Sequence, residues 1–316
     1  MVLVKRVLNE IEIDPLTGRI IVPALWRNEI EHLLSSNYGL ARSILLSQKK
    51  RLSESKILEY DKVIKEQLHS GVIEPVDNRQ SIGTSYIAHS AVFRENANST
   101  KCRVVFLSNL SSGRDSLSHN QISMPGANLN HKLQIALLLL RFDANLVTFD
   151  LRKAFLQLLI KREDIDKLHF LWFKNPAAGD FSIVTYRICR VPFGMRYSPF
   201  LLMISLYYIL INCAKNDDKN MKDIKMALYD LAYVDNLAYT ANDAKNLIDA
   251  INVASSTFSK FKFELQQFSS NVAEVREHAK KSVSYTHLRA HETYLLISYA
   301  VFCLKKGGGG GGGGGG

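Results

Sequence analysis

The chain has 316 residues, and the last ten, 307–316, are unbroken glycine and account for ten of its 18 glycines. The remainder, in a chain that is 47% hydrophobic, holds enough apolar side chains for roughly two ordinary domains, which excludes wholesale disorder. Forty Lys and Arg against 30 Asp and Glu give a formal charge of +10, a balance that favours a polyanionic partner such as nucleic acid.

Four cysteines, Cys102, Cys189, Cys213 and Cys303, lie far apart with no CxxC pair, so neither a zinc site nor a disulfide framework is indicated. The N-terminal MVLVKRVLNEIEIDP lacks the apolar stretch of a signal peptide, and the longest apolar run, 200–210, is shorter than the roughly 20 residues a bilayer requires. A soluble intracellular protein is expected.

Along the chain, RIIVP (19–23) reads as a strand. Residues 54–70 carry Ile57, Leu58, Val63, Ile64 and Leu68 at helical spacing, with Gly71 placed as a cap and VIEPV as the strand that follows. SYIAHSAVF (85–93) and CRVVFL (102–107) form a predicted hairpin around a polar loop. A polar stretch, 108–130, leads into a predicted helix LQIALLLLRF. Leu146–Phe149 is a short apolar run ending at Asp150, and the helix-forming LRKAFLQLLI places Asp150 where a strand gives way to a turn or helix. Ser198 and Pro199 are expected to open a long apolar helix as N-cap and first helical residue. In LYDLAYVDNLAYT (228–240), two apolar runs flank Asp235 and Asn236, predicting a hairpin with a polar tip. A helix over 244–258 and a strand FKFEL (261–265) complete the pattern.

Asp150 and Asp235 each end an apolar extended run. Carboxylates used in this way can hold the hard divalent ions of phosphoryl-transfer chemistry, where two Mg²⁺ lie roughly 3.5–4 Å apart. Taken singly, each acid has an ordinary structural use, Asp150 as a helix cap and Asp235 as a turn residue. Lys101 and Arg103 share one face of a strand through its period of two. Phe155 lies five residues beyond Asp150, and Phe193-Gly194 precedes Ser198-Pro199.

Taken in order, KCRVVFLSN, DSLSHNQISMPGANL, LLLRF, VTFDLRKAFLQLLIKREDIDKLHFLWF, YRICRVPFGMRYSPFLL, LAYVDNL and FKFELQQFSSN resemble the polymerase motifs of reverse transcriptases, most closely those of the BEL/Pao group of LTR retrotransposons. The likeness runs from about Val4 to about Lys281. It implies an α+β right-hand polymerase fold: N-terminal segment and fingers over 1–145, palm over 146–160, fingers again over 161–197, and an antiparallel-sheet palm with the YVDN hairpin over 198–281. Thumb and RNase H are expected to be absent, as in a fragment of a polyprotein. Asp150 and Asp235 match catalytic, metal-binding aspartates for two Mg²⁺ ions. Lys101 and Arg103 match a basic pair over the triphosphate, Phe155 the aromatic under the incoming sugar, and Gly194 a close backbone approach to the base pair. Each also has a plainer use: a solvated strand face for the cations, a core aromatic on an amphipathic helix for Phe155, a turn for Gly194. The implied partners are an RNA/DNA template-primer duplex and deoxynucleoside triphosphates, with no membrane, in the cytoplasm or in virus-like particles.

The departures from that pattern are specific. Asn236 stands where the resemblance implies a second consecutive aspartate, which removes an anion and is expected to weaken Mg²⁺ binding. Leu107-Ser108 replaces an Asp-Ala, and Gln266-Gln267 replaces two cations. Together they point to a decaying element copy, and the rival expectation is a catalytically dead polymerase fold that only binds nucleic acid, or a transcribed relic. The string SYTHLRAHET resembles translated sequencing-adapter sequence, so 282–316 is expected to be an artefactual, unpacked tail.

Overall fold

The computed structural model describes residues 2–76, 85–93, 102–113, 116–129 and 133–282. Lys101 lies outside them, and so does the expected artefactual tail apart from Ser282.

The chain is α+β, a mixture of helices and small, mostly antiparallel sheets. In chain order the elements are α1 (Val2–Glu10), β1 (Glu12–Ile13), β2 (Ile20–Val22), α2 (Tyr38–Arg51), α3 (Glu54–His69) and β3 (Ile73–Pro75). Then come β4 (His89–Phe93), β5 (Cys102–Phe106), α4 (His119–Ile122), α5 (Leu133–Leu139), β6 (Asn145–Leu151), β7 (Leu159–Ile160), β8 (His169–Asn175) and β9 (Asp180–Ile188). The last are α6 (Ser198–Leu210), α7 (Lys219–Asp230), β10 (Asn236–Ala241), α8 (Ala244–Lys260), β11 (Leu265–Ser270) and α9 (Ala273–Ser282). Among the described residues no helix is long and apolar enough to cross a membrane.

Among the described residues two compact units divide these elements, one within Met1–Leu129 and Lys153–Tyr208, the other within Asn130–Arg152 and from Ile209 to Ser282. In the first unit the sheets are ordered β1-β2-β7, β3-β9-β8 and β4-β5. Helix α3 forms as its spacing predicts. Ser53 caps its start by accepting from Lys56 N, and its end closes with Gly71 N donating to Leu68 O (3.2 Å) and Val72 N to Gln67 O (2.9 Å). That pair of bonds requires a left-handed residue at Gly71, whose φ is +66°. The apolar face of α3 buries Ile57, Tyr60 and Ile64. Tyr60, His89, Phe106, Phe170 and Trp172 form a connected cluster of buried rings.

The second unit is a three-stranded antiparallel sheet, β10-β6-β11, backed by α7, α8 and α9. Strand alternation sends Val147, Phe149 and Leu151 into its core, where Phe149 stacks on Phe268 at 5.3 Å between ring centroids. A bulge between Gln266 and Ser269, with Gln267 at φ +55°, lets Leu265 and Phe268 both face inward.

Four local expectations are corrected. Residues 151–160 are not a helix: Leu151 stays in the β6 ladder, Lys153 turns the chain at φ +50°, Ala154–Gln157 make a single 3-10 turn, and β7 pairs parallel with β2. Tertiary pairing on both sides overrides a helix-forming composition. The first arm of the 228–240 hairpin begins as the last turn of α7, a helix whose start is capped by Asp218 accepting from Met221 N (2.9 Å), so only the second arm is a strand. The strand expected at 261–265 begins at Leu265, after a turn in which Lys262 adopts φ +62°. Finally, Ser198 does not cap α6. Its hydroxyl donates to Pro192 O at 2.7 Å, and the first helical bond runs from Leu201 N to Tyr197 O.

Candidate functional site

Asp150 lies within β6, one residue before its end, on the middle strand of the second unit's sheet. In register it stands opposite Asn236 on β10 and Gln266 on β11. Paired residues of an antiparallel sheet share a face, so Asp150, Asn236 and Gln266 line up across three strands on the side away from Phe149 and Leu237. The sheet's core face thus supplies rigidity and the opposite face carries the polar groups.

Asp235 is held beside this row by a tight turn. Tyr233 N donates to Asn236 O (2.9 Å), Asn236 N donates to Tyr233 O (3.1 Å), and Leu151 N donates to Asp235 O (2.9 Å), which ties the turn to β6. Val234 takes φ +58°, a left-handed conformation that a β-branched side chain disfavours. Backbone strain at a polar turn is a recurrent mark of functional sites.

The electrostatics follow from this placement. Burial pushes the Asp150 carboxyl up to about 6, helped by the neighbouring Asp235 carboxylate and opposed by hydrogen bonds from Gln266 and the Leu151 N–H. Burial also raises Asp235. Gln266 Nε2 donates to Asp150 Oδ2 at 2.7 Å, and Asn236 Nδ2 reaches Asp235 Oδ1 at a long 3.4 Å. The departure at 266 therefore has a definite effect: a neutral amide, in place of the cation the resemblance implies, contacts the catalytic candidate.

These donors fit Mg²⁺ in kind. That ion is commonly bound through one or two carboxylates, with water and substrate phosphates completing its shell. Among the described residues no group of three or more His, Cys, Asp or Glu converges to hold a metal.

The remaining candidates belong to the first unit. Arg103 is exposed on β5, opposite Val92. Phe155 is half-buried in the 3-10 turn, not on a helix, and meets the exposed Phe193 ring edge-on at 4.9 Å. Gly194 has φ +101°, and a Cβ there would stand 2.6 Å from Phe106 O. Its need for glycine thus arises from β5 within the protein itself. Gly194→Ala is expected to destabilise this unit by about 2–4 kcal/mol through combined backbone and steric strain, seen as a lower midpoint in tryptophan-monitored unfolding. An unchanged midpoint would show that the turn can relax.

Two contributors were not foreseen from sequence. Gln266 is brought to Asp150 by the bulge at Gln267, which strand periodicity does not announce. Asn120 in α4 is buried, and its amide donates to Asn109 Oδ1 (2.8 Å) and Gly194 O (2.9 Å) while accepting from Arg196 N (2.9 Å). Its only sequence signal is the capping box around it, in which Ser118 and Gln121 bond reciprocally.

No protein-family model matches the chain, and no curated protein matches it. Among solved structures it is similar to a foamy viral protease-reverse transcriptase in complex with double-stranded DNA, with 17% identity and a TM-score of 0.48. That similarity covers 66% of this chain and 30% of the other, so the chain spans less than a third of that protein's length.

Proposed function

We propose that the chain is an RNA-directed DNA polymerase domain of a BEL/Pao-type LTR retrotransposon whose nucleotidyl-transfer site is weakened by Asn236. The observation that carries this reading is the three-strand register that sets Asp150 beside the Asp235 turn on one face of the second unit's sheet. The ordered motifs support it independently. In this reading the second unit corresponds to the palm, and the N-terminal segment with 161–197 to the fingers.

Asp150 and Asp235 would hold Mg²⁺, which when bound supplies charge stabilisation for in-line attack of a primer 3′-hydroxyl on the α-phosphorus of a deoxynucleoside triphosphate. The chain's own groups do the rest. The sheet fixes the two carboxylates, Gln266 orients that of Asp150, Arg103 together with Lys101 would bind the triphosphate, and the Phe155 ring would exclude a 2′-hydroxyl. Asn236 leaves this face one anion short of what two divalent ions call for. That deficit favours a second reading, a nucleic-acid-binding relic that has lost catalysis.

Extension of a DNA primer on an RNA template separates the two. The unaltered chain is expected to extend very slowly in Mg²⁺, and Asn236→Asp to raise the rate by on the order of 10²-fold, the scale of restoring one group that stabilises transition-state charge. Equal extension by both forms would remove the case for impairment. Extension by neither, with tight hybrid binding retained, would establish the second reading.

A further inference from the structure

The Phe193–Arg196 turn of the first unit is anchored from beneath by one buried residue. Asn120 uses both amide hydrogens and its oxygen, bonding Asn109 Oδ1, Gly194 O and Arg196 N, while its backbone N donates to Ser108 O at 3.0 Å. Its backbone oxygen accepts from Arg196 Nη1 at 3.2 Å and from Ser123 Oγ at 3.3 Å. Three separate stretches, 108–109, α4 and 194–196, therefore meet at this side chain.

For Arg196 the consequence is unusual. The residue is exposed, yet both its backbone N–H and one end of its guanidinium are tied to the same buried asparagine. Among the described residues no carboxylate pairs with it. An exposed arginine ordinarily samples many rotamers and must be ordered when it binds. Here the cation is ordered in advance, and the rest of its five-donor fork is left to meet a planar or tetrahedral anion. Against Gly194, on the other side of the turn, lies the carbonyl of Phe106, so the turn is seated on the strand that carries Arg103.

We propose that Arg196 is a phosphate-binding residue and that Asn120 is the positioning residue that holds its guanidinium ready. This rests on the reading of the chain as a protein that handles nucleic acid and nucleotides. The phosphate has two possible sources under that reading, the backbone of a template-primer hybrid or the triphosphate of an incoming nucleotide.

The test uses the full chain with two probes, a fluorescein-labelled RNA–DNA hybrid and a fluorescent deoxynucleoside triphosphate. Arg196→Ala is expected to weaken one of them about ten-fold, the size of one charge-assisted contact. If the hybrid is the partner, the slope of log affinity against log salt should also fall by about one. If the triphosphate is the partner, hybrid affinity and its salt slope should stay as they were. Arg196→Lys keeps the charge but loses the planar fork, and should recover only part of the loss. Asn120→Ala should weaken the same probe in the unaltered chain and add nothing further in the Arg196→Ala background. Asn109→Ala, which disturbs the same hub without touching Arg196, should leave both affinities in place.

Arg196→Ala binding both probes as tightly as the unaltered chain would overturn the proposal and leave the functional reading standing. Arg196→Lys binding as well as the unaltered chain would overturn the positioning role, whether or not Asn120→Ala folds. An additional loss from Asn120→Ala in the Arg196→Ala background would do the same. Failure of the unaltered chain to bind either probe would instead sink the functional reading, and this proposal with it.

Discussion

Asp150→Asn is expected to abolish Mg²⁺-dependent primer extension in the Asn236→Asp background, by at least about a thousand-fold, and at the same time to make the second unit more stable at pH 7.5. Both effects come from removing one half-buried charge. The carboxyl of Asp150 titrates near 6 in the folded chain against an ordinary value of 3.8, because burial and the Asp235 carboxylate disfavour its charge. A raised carboxyl binds more protons folded than unfolded between 3.8 and 6. Its cost to folding is therefore absent below 3.8 and complete above 6. Two pH units correspond to about 3 kcal/mol, which the partial exposure of the carboxylate reduces to about 1–2 kcal/mol. Asparagine removes that cost and can still accept from Gln266 Nε2, so the melting temperature should rise by about 3–6 °C at pH 7.5. The gain should vanish near pH 4, where the native aspartate is itself neutral. A gain of equal size at both pH values would show that charge burial is not its source, and a loss at pH 7.5 would show that the carboxylate is stabilised by partners the sheet geometry does not reveal.

The opposition of stability and chemistry at one residue is what a site built for a cation requires. Two carboxylates brought together on a sheet face repel one another and favour an ion that neutralises them. Asn236 adds no third charge to that repulsion, and the same residue that would weaken the proposed metal site is expected to relax the fold around it. A chain released from selection for activity accumulates changes of this direction readily, since they bring no penalty in folding.

The parts of the site that were legible in the sequence are those that depend on local pattern. Asp150 and Asp235 announce themselves because each closes an apolar run, and the hairpin of β4 and β5 follows from two alternating β-branched segments. What stayed hidden depends on pairing between distant segments. The LRKAFLQLLI stretch has helical composition, but β7 is recruited by β2 more than a hundred residues upstream, and only a single 3-10 turn remains for Phe155. Gln266 reaches Asp150 through a bulge at a residue with positive φ, and nothing about glutamine marks that conformation in advance. Asn120 sits in a four-residue helix in the middle of a polar stretch that reads as loop.

Acid is expected to unfold the first unit while sparing the second. His89 and His119, both in the first unit, are held near 4 against an ordinary 6.5, in each case chiefly by burial and in spite of a hydrogen bond to a backbone carbonyl. For His89 the geometry fixes the neutral tautomer. Leu171 O can only accept, so the proton sits on Nε2 at 2.8 Å from it, and Nδ1 is left to accept from the Tyr60 hydroxyl. A second proton would enter a closed cluster of Tyr60, Phe106, Phe170 and Trp172 rings. Because these histidines bind protons more readily when unfolded, stability is complete above pH 6.5 and falls as pH drops towards 4. By pH 4.5 the loss is roughly 2.5 kcal/mol for each, or about 5 kcal/mol together, a large share of a typical domain's stability. In the second unit the raised carboxyl of Asp150 acts with the opposite sign over pH 3.8–6, favouring the folded state as pH falls, and the raised carboxyl of Asp235 acts in the same direction. The chain's two tryptophans, Trp26 and Trp172, both lie in the first unit, so their fluorescence reports on it alone. The urea midpoint of that signal should drop by about 2 M between pH 7 and pH 4.5, with helical circular dichroism persisting beyond it. His89→Gln, whose amide can still donate to Leu171 O, should remove about half of the drop. An acid-insensitive fluorescence midpoint would mean that the ring cluster admits water or a proton without opening, and that the two histidines are not what ties this unit's stability to pH.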